Sequence, residues 1–196
     1  MAHPTRFRRW LPAFALTLAT ASAAADRPAL KAGVFEPPRA APAFALDASG
    51  GGQLDLATYR GKVVLLGFGF TSCPEVCPTT LAVLAQTRKR LGPQADRVQV
   101  VYVTVDPERD SAERMRAYLH GFDPTFVGGT GTPQQLADVR KHYGVMAERK
   151  PVGDSYSVGH SSSVYLIDAK GLLRAMMPYG RSPEDYVHDL RALLSE

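Results

Sequence analysis

"GKVVLLGFGFTSCPEVCPTTL" runs from Gly61 to Leu81 and holds both cysteines of this 196-residue chain, Cys73 and Cys77. Lys62–Phe70 is a continuous apolar run, the pattern of a β-strand buried on both faces. Pro78 disfavours helical geometry at Cys77, so the reading starts a helix at about Pro78, with Leu81, Leu84, Ala85 and Leu91 on its inner face. The cysteines therefore stand where a central strand gives way to a helix, a usual place for chemistry in an α/β sheet.

Outward from this junction the same alternation continues. "AFALDASGGGQLDL" predicts a β-hairpin ahead of the central strand. "RVQVVYVTVD" is a second buried strand. Asp110 is read as the cap of the next helix, with Glu113 completing a capping box. Thr132-Pro133-Gln134-Gln135 and Ser182-Pro183-Glu184-Asp185 open two further helices, the first stopped by Gly144 and the second with Tyr186, Val187, Leu190 and Leu194 inward. "SSVYLID" and "LLRAMMPY" are strands joined by a turn at 168–171, with Met176 and Met177 read as core. The expected fold is an α/β sandwich around a central mixed sheet with an added N-terminal hairpin, spanning 43–196.

Residues 1–25 have a basic start, a 15-residue apolar stretch and a small-residue end before Asp26, the layout of an export signal. The stretch is short against the roughly 20 residues of a bilayer span, so anchoring is expected only if the signal stays uncleaved. Residues 26–42 are rich in proline and alanine and read as an extended tether. The basic excess, 23 Lys and Arg against 19 Asp and Glu, owes three arginines to the first segment. The remainder is near neutral and gives no case for nucleic acid or an anionic membrane as partner. Export places the protein in the periplasm, where thiols tend to oxidise.

A disulfide between Cys73 and Cys77 would close a loop of about five residues. That stabilises by roughly 2 kcal/mol, against about 4.7 for a hundred-residue loop, so the pair is poorly placed as a structural staple. Near a helix N-terminus both thiols are expected to be partly ionised, which suits disulfide exchange and metal ligation alike. His160, in "SYSVGHSSSVYLID", separates the two. It is read on a loop just before the strand that should neighbour 62–70, which would carry the imidazole to the thiols. His120, His142 and His188 fall on helix faces or ends and are read as satisfied or solvated. Two thiolates and one imidazole are too few for structural zinc, which takes four protein ligands, but suit Cu(I) or Cu(II). Glu75 is read as solvated rather than as an extra ligand. The segment Met146–Tyr156, with Glu148, Arg149 and Lys150, is read as a loop, either shaping a docking face or simply solvated.

"GKVVLLGFGFTSCPEVCPTTL", "YVTVDPERD" and "YSVGHSSSVYLIDAKG", in this order, resemble the Sco/SenC family over about residues 42–194. The resemblance implies a thioredoxin-like fold and a copper protein that helps assemble the CuA site of cytochrome c oxidase. It implies Cys73, Cys77 and His160 as copper ligands, the copper-site subunit of the oxidase as partner, and a periplasmic thiol reductant to keep the sulfurs reduced. It makes the chain a metallochaperone rather than an enzyme. Asp106 falls on the "DP…D" segment and is read as a turn or cap residue. Two positions depart from the family: Gly159 stands where Asp often precedes the ligand histidine, and Ser72 replaces a frequent histidine. The competing reading is a thiol–disulfide oxidoreductase in which Cys73 attacks and Cys77 resolves. The CxxxC spacing, and Ser162 where such reductases carry a cis-proline, weigh against it. A peroxidase reading fails on spacing, because Thr71 lies two residues before Cys73 rather than three.

Overall fold

The computed structural model describes Met1 and residues 29–196; the expected export signal at 1–25 lies outside the described residues, Met1 aside. In chain order the strands are β1 (Gly33–Ala40), β2 (Ala45–Ala48), β3 (Gln53–Asp55), β4 (Val63–Gly69), β5 (Val98–Thr104), β6 (Val127–Thr130), β7 (Ala147–Val152), β8 (Ser155–His160), β9 (Val164–Ile167) and β10 (Leu172–Met177). The helices are α1 (Val76–Leu91), α2 (Ala112–His120), α3 (Pro133–Tyr143) and α4 (Pro183–Leu194). Eight strands form one mixed sheet in the order β1-β10-β9-β4-β5-β6-β2-β3, and β7 and β8 pair only with each other.

Every residue of β4 and of β5 is buried, as a strand covered on both faces requires. β4 runs parallel to β5, with Gly67 opposite Tyr102, and antiparallel to β9, with Leu66 opposite Tyr165. Because β4 and β9 are antiparallel neighbours, the end of β4 and the chain entering β9 lie at one edge of the sheet. Tyr143 of α3 packs ring to ring with Phe44, Phe68 and Tyr165 on one face. Gly67 and Gly69 alternate with Phe68 and point to the other face, towards Tyr102 and the Cys77 side of α1.

The predicted hairpin is β2–β3, and the capping boxes at Thr132 and Ser182 are both formed. Other expectations need correction. Gly33–Ala40 is not a free tether: it pairs with β10 as the edge strand of the sheet. Pro37 and Pro38 are admissible there because an edge strand donates to one side only. The 146–156 loop is instead the β7–β8 hairpin, with Ala147 opposite His160 and Pro151 opposite Tyr156. The α2 cap is Ser111, which accepts from the Arg114 amide, not Asp110, which is fully buried. Met177 is core but Met176 is on the surface.

The chain before β1 is held by a buried carboxylate. Asp189 of α4, wholly inaccessible, accepts from the Lys31 amide at 2.8 Å and the Ala32 amide at 2.9 Å. Asp189→Ala strands two amide donors and should cost about 2 kcal/mol. Urea unfolding should show a lower midpoint, and hydrogen exchange should show faster β1 amides; an unchanged midpoint would contradict this account of the edge strand.

Candidate metal centre

The chain leaves β4 at Gly69, turns through a Cys73 amide to Phe70 carbonyl bond of 3.3 Å, and enters α1 at Val76. Cys77 thus lies inside the first helical turn rather than ahead of it. Pro78 is tolerated because the amides of that turn have no intrahelical acceptor, so its missing N–H costs no bond. Glu75, the helix cap, is exposed and makes no side-chain cap bond. The Cys73 sulfur fills that role, accepting from the Cys77 amide at 3.4 Å.

Both thiols are free, but their surroundings differ. Cys73 is half-buried, whereas Cys77 is 1% exposed. Burial pushes the Cys77 thiol up to about 12, opposed by a hydrogen bond from Tyr102. The expectation that both sulfurs ionise near neutral pH is therefore wrong for Cys77: loss of water outweighs the helix terminus. The two glycines of "GFGF" explain how the Tyr102 ring reaches the sulfur. A Cβ on Gly67 would meet the ring at 2.9 Å; one on Gly69 would stand 1.9 Å from the Tyr102 hydroxyl and 2.8 Å from Cys77 Sγ.

His160 is the last residue of β8, not a loop residue, and its ring meets the Phe70 ring edge-on at 5.8 Å. Its Nε2 is 3.5 Å from Cys77 Sγ, and its Nδ1 is 2.8 Å from the Ser161 carbonyl. A carbonyl only accepts, so Nδ1 carries the proton of the neutral ring and Nε2 presents its lone pair to the thiol. Burial lowers the His160 pKa, with the Ser161 bond opposing, which keeps the imidazole neutral at pH 7. Gly159 carries no carboxylate, and the ring is oriented by the Ser161 carbonyl; a Cβ at Gly159 would meet nothing within 4 Å. Ser162, in the cis-proline position of reductases, lines a tight space with Cys77, Tyr102 and His160.

Cys77 and His160 are brought together; Cys73 is close but its sulfur is turned to the Cys77 amide. Among the described residues no three His, Cys, Asp or Glu side chains close into a finished metal cage. The arrangement offers one buried thiol facing a neutral imidazole and a second, half-buried thiol beside them.

Two carboxylates stand behind the centre: Asp110, read from the sequence as a helix cap, is not one, whereas Asp106, read as a turn or cap residue, does open a turn, its carbonyl accepting from the Arg109 amide at 3.2 Å. Asp110 accepts from the Thr71 amide at 3.1 Å, the Thr71 hydroxyl at 2.6 Å and the Thr104 hydroxyl at 2.7 Å. Arg114 adds bonds to Thr71 Oγ1 at 2.7 Å and Ser72 Oγ at 3.1 Å, fixing the turn that carries Cys73. Asp106 is also fully buried and is held by Arg109 and Tyr156. A possible signal was the spacing of two acids around "DPERD", more than one cap needs.

Reduced protein treated with iodoacetamide at pH 8 should carry label on Cys73 at least about tenfold faster than on Cys77, read by peptide mass spectrometry. Equal labelling would contradict the burial of Cys77. Its raised pKa also means that the folded state keeps this proton longer, so its contribution to stability is lost as pH rises from about 9 to about 12.

Comparison with known proteins accords with this geometry. The SCO1/SenC family model matches residues 34–195. The mitochondrial protein SCO2 homolog of Mus musculus is 38% identical over 139 residues, covering 69% of this chain and 54% of that protein. The chain spans about half the length of the first curated relatives it matches. Copper-bound ScoI of Bradyrhizobium japonicum is 35% identical with a TM-score of 0.73, over 79% of this chain and 99% of that one. Apo Sco1 of Thermus thermophilus is 34% identical with a TM-score of 0.77, over 85% and 98%. The α/β sandwich described above is thus the thioredoxin-like Sco fold, and the chain belongs to the SCO1/SenC family.

Proposed function

We propose that the protein is a copper carrier that holds one copper ion through Cys73, Cys77 and His160 and delivers it to the copper-site subunit of cytochrome c oxidase. The observation that carries this reading is the 3.5 Å approach of a neutral His160 Nε2 to the Cys77 thiol, with the Cys73 sulfur at 3.4 Å from the Cys77 amide. Copper is cargo here. Soft thiolates favour Cu(I), and the imidazole admits Cu(II). Binding displaces the Cys77 proton, so affinity rises with pH below about 12. The Cys73 sulfur swings from the Cys77 amide to complete the set.

Delivery is an exchange of ligands: half-exposed Cys73 is the sulfur an acceptor can approach, while buried Cys77 keeps hold until last. The sulfurs bind only when reduced, which requires a thiol reductant in the same compartment. The layout of 1–25 supports export to the periplasm, and no helix among the described residues is long and apolar enough to cross a membrane.

The pairing of one accessible with one buried thiol also supports a second reading, reduction of the acceptor's own cysteines. Cys73 thiolate would attack an acceptor disulfide, forming a mixed disulfide and releasing one acceptor thiolate. Cys77, giving its proton to His160 Nε2, would then attack Cys73 Sγ. The second acceptor thiol leaves, and Cys73–Cys77 ends as the oxidised pair.

Titrating reduced protein with Cu(I) against a chromophoric chelator separates these readings. Cys73→Ser, Cys77→Ser and His160→Ala should each weaken binding by at least about tenfold. Tight binding untouched by all three substitutions would contradict the carrier reading, and catalytic turnover of disulfides by protein that ignores copper would favour the reductase.

A further inference from the structure

The β7–β8 hairpin that bears His160 makes no strand pairing with the main sheet. Most of its residues are exposed. The exceptions on β8 follow the strand's period of two: Tyr156 is half-buried, Val158 is 8% exposed and His160 is half-buried. With Ala147 of β7, which pairs with His160, these residues are the face the hairpin turns to the domain. Tyr156, Val158 and His160 therefore move together, and whatever seats Tyr156 sets the approach of the imidazole.

Tyr156 has a built seat. Two guanidiniums stack on its ring, Arg109 at 4.1 Å and Arg149 at 4.5 Å from the centroid. Its hydroxyl donates to Asp106 Oδ1 at 2.7 Å. Asp106 is fully buried and is itself fixed: its amide donates to Thr104 Oγ1 at 2.9 Å, and Arg109 Nε donates to its other oxygen. Arg109 Nη1 also donates to the Tyr156 carbonyl at 3.2 Å, so the residue is gripped by ring, hydroxyl and backbone. The same guanidinium lies 5.6 Å from the Phe70 ring, which contacts His160. Arg149 closes the outer side through Glu108 Oε1 at 2.7 Å. Cations stack favourably on such a ring, and a guanidinium does so best.

We infer that Tyr156 is a positioning residue for the metal centre: held by the Arg109 and Arg149 guanidiniums stacked on its ring and bonded to Asp106, it holds the inner face of the hairpin so that His160 Nε2 stays within reach of Cys77. Among the described residues no hydrogen bond joins Tyr156, Arg109, Arg149 or Asp106 to either sulfur. Tyr156 acts on copper only through the imidazole, and release of the seat would free His160 while leaving both thiols in place. The copper part of the test rests on the ligand set proposed above; the exchange part does not.

Two measurements test it. In a double-mutant cycle on the Cu(I) dissociation constant of reduced protein, Tyr156→Ala should weaken binding about tenfold, as removal of a ligand's support commonly does. In the His160→Ala background the same change should add less than about twofold, because its route to the metal is gone. Tyr156→Phe, which keeps the stacking and loses the Asp106 bond, should fall between. Losses that add in the double variant, or an unchanged affinity in Tyr156→Ala, overturn the inference. In copper-free protein, hydrogen exchange should speed up over residues 147–160 in Tyr156→Ala while the β4 and β9 amides stay protected; unchanged hairpin exchange overturns it too. Should Tyr156→Ala fail to fold, Arg149→Ala, at a half-exposed side chain, must show the same changes at smaller size. If His160→Ala itself leaves copper binding intact, the proposed ligand set falls, and hairpin exchange alone decides whether Tyr156 seats this strand.

Discussion

The approach of His160 Nε2 to Cys77 Sγ joins residues 83 apart in sequence, and the meaning of the site depends on it. Neither side chain would find the other without the central sheet. Antiparallel pairing of β4 with β9 brings the end of one strand and the approach to the other to a single edge. The helix turn then points one sulfur down into the protein, and β8 ends on the imidazole beside it. A register slip of one residue would reverse both faces of β9 against β4 and part the pair.

Burial gives this contact its chemical character. Loss of water raises the Cys77 thiol above an ordinary one, against the opposing hydrogen bonds of Tyr102 and the Phe70 backbone, and the same burial favours the neutral form of His160. Both groups are therefore in the state from which a soft metal can take them, a thiol with one proton to lose and an imidazole with a free lone pair. The enclosure needs two glycines, since a side chain at Gly67 or Gly69 would occupy the space of the Tyr102 ring. It also needs Asp110, whose three bonds to Thr71 and Thr104 hold the turn leading to Cys73.

Much of this was legible in the sequence. Alternation of buried strands with capped helices yields the α/β sandwich, and the glycine stop at Gly144 and the boxes at Thr132 and Ser182 stand where their side chains say. The convergence of Cys77 and His160 followed from expecting their strands to be neighbours. Features decided by tertiary packing were not legible. Pro38 and its neighbours read as tether because pairing with β10 leaves no mark in composition. Glu148-Arg149-Lys150 read as loop because charge alternation hides a hairpin whose inner face rests on Tyr156 and Val158. Asp110 read as a cap because a short polar residue just before a helix looks the same whether it faces solvent or is buried beneath the site, and the turn seen at Asp106 gave no sign of that carboxylate's burial. The ionisation of Cys77 was misjudged for the same reason: the helix terminus is local and visible, but the depth of burial is not.

In the carrier proposed here the imidazole and both sulfurs act together on one copper ion. X-ray absorption at the copper edge of the Cu(I)-loaded protein tests it most directly, since sulfur and histidine nitrogen scatter distinguishably. The account predicts two sulfur neighbours and one imidazole nitrogen, with the imidazole signal lost in His160→Ala. A spectrum with sulfur alone, unchanged by that substitution, would contradict it.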